Sequence, residues 1–195
     1  MNKRNIFRQN IQSAIDLKQQ LLSDEALAQK VEQVVEIVIG CFEKGGKVLF
    51  CGNGGSAADA QHLSTELSGR YYYDRPPLFA EALHGNTSYM TAVANDYDFG
   101  EVYARQLKAM GRAGDVLIGL STSGNSENVC RAVATAKSIK MTTIAFTGAG
   151  GGRLQQLADL LLEIPSKDTP RIQECHMLLG HAICQMVEGI LFPRE

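Results

Sequence analysis

A histidine and a glutamate four residues apart, His62 and Glu66, are the side chains whose types and spacing point most directly to chemistry. On a helix, residues at this spacing share one face and lie about one turn apart. Imidazole and carboxylate groups bind zinc and related divalent metals, and both can act as general bases. The pair therefore predicts a metal or acid–base site, although surface helices also carry such pairs as simple hydrogen-bonded partners.

Three further candidate ligands, Gln173, His176 and His181, lie on a helical pattern near the end of the sequence. On a regular helix residues 173 and 181 are about 12 Å apart along the axis, so one metal binds both only if each side chain reaches inward. Histidines in a core or at an interface would give the same pattern. Spacing alone does not choose between His176 and His181.

A hydroxyl-rich segment runs from Ser121 to Ser126 with the sequence STSGNS, between a strand pattern and a helical pattern. Its hydroxyl groups, its flexible glycine and the free N–H groups at a helix start favour binding of a phosphate. The same residue types also cap helices without any ligand, but one cap does not use four hydroxyls. We therefore predict a phosphate-binding loop.

An earlier glycine-rich loop, with Gly52, Gly54 and Ala57, matches the dinucleotide-binding fingerprint, and Glu81 stands near the expected position of a ribose-binding acid. A nucleotide-dependent enzyme is therefore an alternative. However, two helical segments precede this loop, whereas the fingerprint normally opens its domain. The serine-rich loop would also be superfluous for a pyrophosphate, so we favour the phosphate interpretation.

Short apolar runs that alternate with helical patterns predict an α/β fold, with a five-stranded parallel sheet covered by helices on both faces in a flavodoxin-like arrangement. Strands are predicted at 48–51, 78–83, 116–120, 142–146 and 160–164. Helices are predicted at 5–22 and 24–44, and a long C-terminal helix at 170–191. We predict one domain over residues 1–195, with N-terminal helices at 1–45 and an α/β core at 46–195. Ligands of such sheets bind at the carboxyl ends of the strands.

Composition excludes several classes of protein. Lysine and arginine total 19 against 21 aspartates and glutamates, and this net charge of -2 argues against a dedicated nucleic-acid binder. The sequence has no apolar run of about 20 residues for a membrane span and no secretory signal, so we expect a cytoplasmic protein. Its five cysteines form no CxxC pair, which indicates reduced thiols.

Taken together, these motifs resemble the sugar isomerase (SIS) domain family over nearly the whole sequence. The resemblance is carried by residues 51–56 (CGNGGS), 59–62 (DAQH), 66–70, 95–96, 121–126 and 171–174 (RIQE). It implies an aldose–ketose isomerase that converts sedoheptulose 7-phosphate to D-glycero-D-manno-heptose 7-phosphate through an enediol. This reaction would supply bacterial heptose and lipopolysaccharide core biosynthesis.

The resemblance also implies roles for individual residues. One zinc ion per subunit would be held by His62, Glu66, Gln173 and His181, with Glu66 and His181 as the catalytic base and acid. The implied substrate contacts are Asn53, Gly54, Gly55, Glu66, Asn95, Asp96, Ser121, Thr122, Ser123, Ser126 and Gln173. A homotetramer with sites at subunit boundaries is expected. Some relatives have an aspartate where this sequence has Pro170, with Asp168 two residues earlier.

The same family contains a non-enzymatic tetramer that binds the bacterial replication initiator, and such a scaffold is the main alternative. That type lacks the histidine corresponding to His181, whereas all four implied ligands are present here. A sugar-phosphate-sensing regulator would need an appended DNA-binding segment. The sequence therefore favours the isomerase.

Overall fold

Five short apolar runs form one parallel sheet in the computed structural model, which describes residues 3–194. The strands are β1 Val48–Gly52, β2 Ala80–Ala82, β3 Val116–Ser121, β4 Thr142–Thr147 and β5 Leu160–Glu163. Their order in the sheet is β2-β1-β3-β4-β5, and every neighbouring pair is parallel. This is the flavodoxin-like order, and it confirms the predicted fold class.

Helices precede, connect and follow the strands. They are α1 Lys3–Leu22, α2 Glu25–Glu43, α3 Gly55–Ser68, α4 Thr87–Asp96, α5 Val102–Met110, α6 Glu127–Ser138, α7 Leu154–Leu157 and α8 Thr169–Leu191. The sequence patterns did not predict α4, α5 and the short α7. The predicted strand at 78–83 is reduced to three residues, because the Leu78 N–H donates to the Leu67 carbonyl at the end of α3.

Alternate residues of each strand face opposite layers of helices, which is why the strands read as continuous apolar runs. Val48 and Phe50 pack with α2, α3 and α8 on one face of the sheet. Leu49 and Cys51 pack with α4, α5 and α6 on the other face. The sheet is thus buried on both faces, and its ligand-binding region is confined to the ends of its strands.

The two N-terminal helices are buried to different degrees. The apolar stripe of α2, which includes Val34 and Val38, packs against the chain's own sheet. In α1 only Leu17 is buried, where it contacts a small cluster that includes Ile172. Phe7 and Leu22 are exposed to 66% and 87%, so much of the apolar surface of α1 has no partner within the described chain.

A histidine on α8, His176, belongs to the core. Its side chain is fully buried, its Nε2 lies 3.1 Å from the Thr147 carbonyl oxygen, and its Nδ1 has no partner among the described residues. Burial lowers the pKa of His176 to about 4, although the hydrogen bond to Thr147 opposes this shift. The imidazole is therefore neutral in the folded protein, with Nε2–H donating to Thr147.

This buried imidazole makes stability depend on pH. The unfolded chain binds a proton at His176 near pH 6.5, whereas the folded chain resists protonation down to about pH 4. We expect the free energy of unfolding to fall as the pH drops from 6.5 towards 4, by up to about 3 kcal/mol from this residue. His176→Gln, which keeps an N–H donor and does not titrate, should lack this component. Urea titrations of both proteins at several pH values test this, and parallel pH dependences would contradict it.

Candidate active site

The candidate site begins where β1 and β3 end. Gly52 and Leu120 are paired in register, so the glycine-rich loop and the serine-rich loop leave neighbouring strands at the same edge of the sheet. Gly54 turns the chain into α3 with a φ of 53°, a conformation that side chains rarely adopt. The predicted ligand-binding edge is therefore formed by the two loops that the sequence singled out.

Two candidate ligands on α3 meet one from α8. The Nε2 atom of His62 lies 3.1 Å from Oε1 of Glu66 and 2.9 Å from Nε2 of His181, although His62 and His181 are 119 residues apart. The potential ligand atoms of these three residues all lie within 4.8 Å of one another. His62 is exposed, whereas Glu66 and His181 are half-buried. The structure thus brings together three of the four ligands that the resemblance implied.

The donor set fits a divalent cation of the zinc type. One proton cannot satisfy both contacts of His62 Nε2. A proton on this atom can be donated fully to only one of His181 and Glu66, and a proton on His181 Nε2 would leave the His62 lone pair facing the Glu66 carboxylate. Two imidazole nitrogens and one carboxylate oxygen are ligands that zinc accepts, and three protein ligands leave a position for an oxygen of a substrate.

The fourth implied ligand, Gln173, lies beside this cluster. Its amide Nε2 donates to Asp59 Oδ1 at 3.1 Å, and the amide group occupies the space that a side chain at Gly55 would fill. Gln173, Pro170 and His181 line one open cavity along α8. Burial raises the pKa of Asp59, against the effect of the Gln173 hydrogen bond and nearby His62, and its Oδ2 has no partner within residues 3–194. Asp59 belongs to the motif at 59–62 but was given no role from the sequence; the structure shows that it holds the Gln173 amide.

Close packing of α3 against α8 sets the distance between the two histidines. A methyl group at Gly180, the residue before His181, would lie 2.6 Å from the Leu63 side chain, and Leu63 follows His62. This approach is possible only because residue 180 has no side chain. The helices can therefore come near enough for His181 to contact His62.

The serine-rich loop is compact and lies at the start of α6. Ser121 Oγ is 2.9 Å from Ser126 Oγ and 3.5 Å from Ser123 Oγ, and Gly124 is in the left-handed region with a φ of 66°. The Ser126 side chain makes no hydrogen bond that caps α6. Thr122 and Ser123 line a cavity together with Ser166, Lys167 and Thr169, which sequence reasoning did not single out. Converging hydroxyls at a helix start are suited to bind an anion.

A pair of asparagines connects the two loops. Asn53 and Asn128 exchange side-chain hydrogen bonds, each of 2.8 Å, and Asn128 is buried. Asn128 Oδ1 also accepts from the backbone N–H of Val129. Asn53 is thus held against α6, and its position relative to the serine-rich loop is fixed. A polar residue two positions after the loop was the only sequence signal for Asn128.

Two implied substrate contacts are on α4. Asn95 and Asp96 are exposed near the end of α4, where the Asn95 amide donates to the Asp96 carboxylate at 3.0 Å. Within residues 3–194 no hydrogen bond connects their side chains to the two loops. Their assignment to the site stays a prediction.

Comparison with known proteins identifies the family. A model described as the SIS domain matches residues 10–148. The chain is 47% identical over 192 residues to a phosphoheptose isomerase of Clostridium acetobutylicum, covering 98% of each chain. It is 50% identical over 182 residues to one of Mycobacterium tuberculosis, covering 93% of each. This chain belongs to the SIS domain family.

Solved structures of the same family agree with this fold. A phosphoheptose isomerase from Neisseria gonorrhoeae has a TM-score of 0.90 at 42% identity, over 95% of this chain and 98% of that one. One from Francisella tularensis has a TM-score of 0.92 at 37% identity, over 96% and 98%. The predicted class of enzyme is confirmed: within the SIS domain family the chain is an aldose–ketose isomerase. These relatives give no support to the replication-initiator scaffold.

The helix contact beside His181 can be tested by adding one methyl group. We expect Gly180→Ala to lower stability by about 1–3 kcal/mol and to weaken zinc binding, because α3 and α8 must separate. Gly189→Ala, on the same helix with no atom near its added methyl, is the matched control and should keep both properties. Thermal unfolding and zinc titration provide the measurements. Unchanged zinc affinity in Gly180→Ala would contradict the proposed role of the contact.

Proposed function

We propose that this SIS domain isomerase converts sedoheptulose 7-phosphate to D-glycero-D-manno-heptose 7-phosphate through an enediol. The observation that carries the proposal is the convergence of His62, Glu66 and His181 on α3 and α8, where α3 follows β1 and the hydroxyl-lined loop follows the neighbouring strand β3. The relatives named phosphoheptose isomerase, at 47% and 50% identity, support the choice of a heptose phosphate. Heptose for lipopolysaccharide core synthesis is the proposed use of the product.

The serine-rich loop would hold the phosphate. Ser121, Thr122, Ser123 and Ser126 supply hydroxyl donors, and the start of α6 adds backbone N–H groups. Binding energy from this distant group would orient the reacting carbons without taking part in the reaction. Asn53, Gly54 and Gly55 would contact the sugar between phosphate and carbonyl, and Asn95 and Asp96 are retained as proposed contacts.

Glu66 and His181 would move the protons. Isomerisation needs a base that takes a proton from one carbon and returns it to its neighbour, while a second group exchanges a proton with the oxygens. Glu66 is half-buried and lies one turn after His62 on α3, so its carboxylate suits the role of base. His181 faces the same region from α8 and suits the role of acid. Because an atom that binds a metal cannot also carry the transferred proton, these two roles require ligand exchange during turnover. The carbonyl at C2 becomes an alcohol while the alcohol at C1 becomes an aldehyde, so one carbon is reduced as its neighbour is oxidised and no external oxidant or reductant is needed.

Zinc is the proposed cofactor, one ion per subunit, held by His62, Glu66, His181 and Gln173. When bound, it would polarise the carbonyl oxygen of the sugar and stabilise developing negative charge. The fit of the three clustered ligands supports this assignment. Gln173 is hydrogen-bonded to Asp59 on α3 and lines the same cavity as His181.

The assembly and location are also proposals. The exposed apolar residues of α1, including Phe7, Ile11 and Leu22, support a homotetramer in which they are covered and sites lie at subunit boundaries. The five free cysteines are all buried, which suits a reducing cytoplasm. Among residues 3–194 no helix combines the length and the apolar character needed to cross a bilayer.

The role of Glu66 gives the main test of the function. We expect Glu66→Gln to reduce isomerisation of sedoheptulose 7-phosphate by about 100-fold or more, because the amide cannot accept the proton. Sugar-phosphate binding by calorimetry should persist, since the serine-rich loop is intact. Glu36→Gln, an exposed glutamate on α2, is the control. Wild-type rates in Glu66→Gln would remove this residue from the reaction, and an inactive wild type would refute the substrate.

The phosphate loop has its own test. Replacing Ser121 and Ser126 together with alanine should raise KM about tenfold or more, because hydrogen bonds to a charged group are lost. The kcat should change less, since both residues lie away from the proposed proton transfers. Ser138→Ala, at the opposite end of α6, serves as the control in steady-state kinetics. An unchanged KM in the double variant would place the phosphate elsewhere.

A further inference from the structure

His181 has a second aromatic neighbour besides His62. The centroid of the Tyr71 ring lies 5.8 Å from that of His181, with the rings tilted by 38°, while the His62 centroid lies at 5.1 Å. Tyr71 follows α3 and belongs to the run Tyr71–Tyr73, which the proposed reaction does not use. The ring of a candidate ligand is therefore packed against a residue with no assigned role.

The backbone around Tyr71 is anchored to the same helix that carries His181. The N–H groups of Tyr71 and Tyr72 donate to Oε1 and Oε2 of Glu188 at 2.9 and 2.7 Å. Glu188 is only 1% exposed and lies seven residues, about two turns, beyond His181 on α8. Residues at this spacing share a helix face, so one face of α8 carries both the ligand and the anchor of its neighbour.

A buried arginine completes this connection. Arg75 Nε lies 3.2 Å from Glu188 Oε1, and its Nη2 donates to the backbone carbonyl of Glu66 at 2.8 Å. Its Nη1 donates to the carbonyls of Leu67 and Gly69 at 2.7 and 3.1 Å. A cation is favourable there because carbonyl groups at a helix end carry partial negative charge. Arg75 thus connects the backbone of Glu66 to Glu188, the residue that anchors the segment beside His181.

The charge state of Glu188 is consistent with this arrangement. Burial acts to raise its pKa, but the N–H groups of Tyr72 and Tyr71 and the Arg75 guanidinium lower the pKa below its ordinary value. The carboxylate therefore stays ionised at neutral pH, and the buried pair is both neutralised and hydrogen-bonded. Such a pair resists displacement, because either partner alone would be a buried, uncompensated charge.

We propose that Tyr71 is a positioning residue that holds the His181 imidazole towards His62 and Glu66, and that the buried Arg75–Glu188 pair fixes Tyr71 in place. The proposal rests on the proposed function for its kinetic consequence, and on the three-ligand cluster for its effect on metal binding. Groups packed behind metal ligands commonly change metal affinity by 10–100-fold when they are removed.

The test compares variants of one tyrosine segment in the full-length protein. We expect Tyr71→Ala to weaken zinc binding about tenfold or more in calorimetric titrations of metal-free protein, and to lower kcat for sedoheptulose 7-phosphate. KM should stay within about twofold, because the phosphate is held by the serine-rich loop. Tyr71→Phe keeps the ring and should restore both properties. Tyr71→Leu fills the space without a planar ring and should again bind zinc weakly.

The control is Tyr73→Ala, in the same segment. The Tyr73 hydroxyl donates to the backbone carbonyls of Glu188 and Phe192, so this residue also attaches the segment to α8. Wild-type zinc affinity in both Tyr71→Ala and Tyr71→Leu would overturn the proposal, and so would an equal loss in Tyr73→Ala. Zinc titration uses no sugar. A wild type that binds zinc but leaves heptose phosphate unchanged would therefore refute the function without affecting the positioning result.

Discussion

The candidate site depends on the contact between α3 and α8 at Leu63 and Gly180. Two helices that are far apart in sequence come together there with no side chain on one of them. His62 precedes Leu63 and His181 follows Gly180, and the Nε2 atoms of the two histidines lie 2.9 Å apart. The grouping of the candidate metal ligands, which include the proposed acid and base, is therefore a consequence of helix packing, and the proposed role of the surrounding loops is to supply the substrate contacts.

The second half of the site follows from strand order. Because β1 and β3 are neighbours, the loops that follow them share one edge of the sheet, although they are separated by more than 60 residues in sequence. Parallel strands bring loop after loop to the same edge, and helix starts add N–H groups there. The topology thus brings the glycine-rich loop and the proposed phosphate-binding loop to neighbouring positions on this edge.

The sequence predicted what local patterns encode and missed what distant contacts decide. Strand and helix periodicity gave the five strands, α3, α6 and α8, and the motif of His62 and Glu66 was visible from its spacing. Spacing could not separate His176 from His181, because the difference is which side of α8 meets the sheet; the resemblance supplied that choice. Asn128 and the Arg75–Glu188 pair carry no local signal, and the motif that contains Asp59 did not show its role, since each acts through a partner far away in sequence.

The reciprocal hydrogen bonds of Asn53 and Asn128 have a consequence for how the two halves of the site respond to their surroundings. Neither amide titrates or carries net charge, so pH and ionic strength do not change these two hydrogen bonds. This connection between the glycine-rich loop and the serine-rich loop therefore does not itself respond to pH. A dependence of turnover on acidity would therefore have to come from groups that titrate, such as the proposed base and acid or the substrate phosphate, and not from this pair of amides.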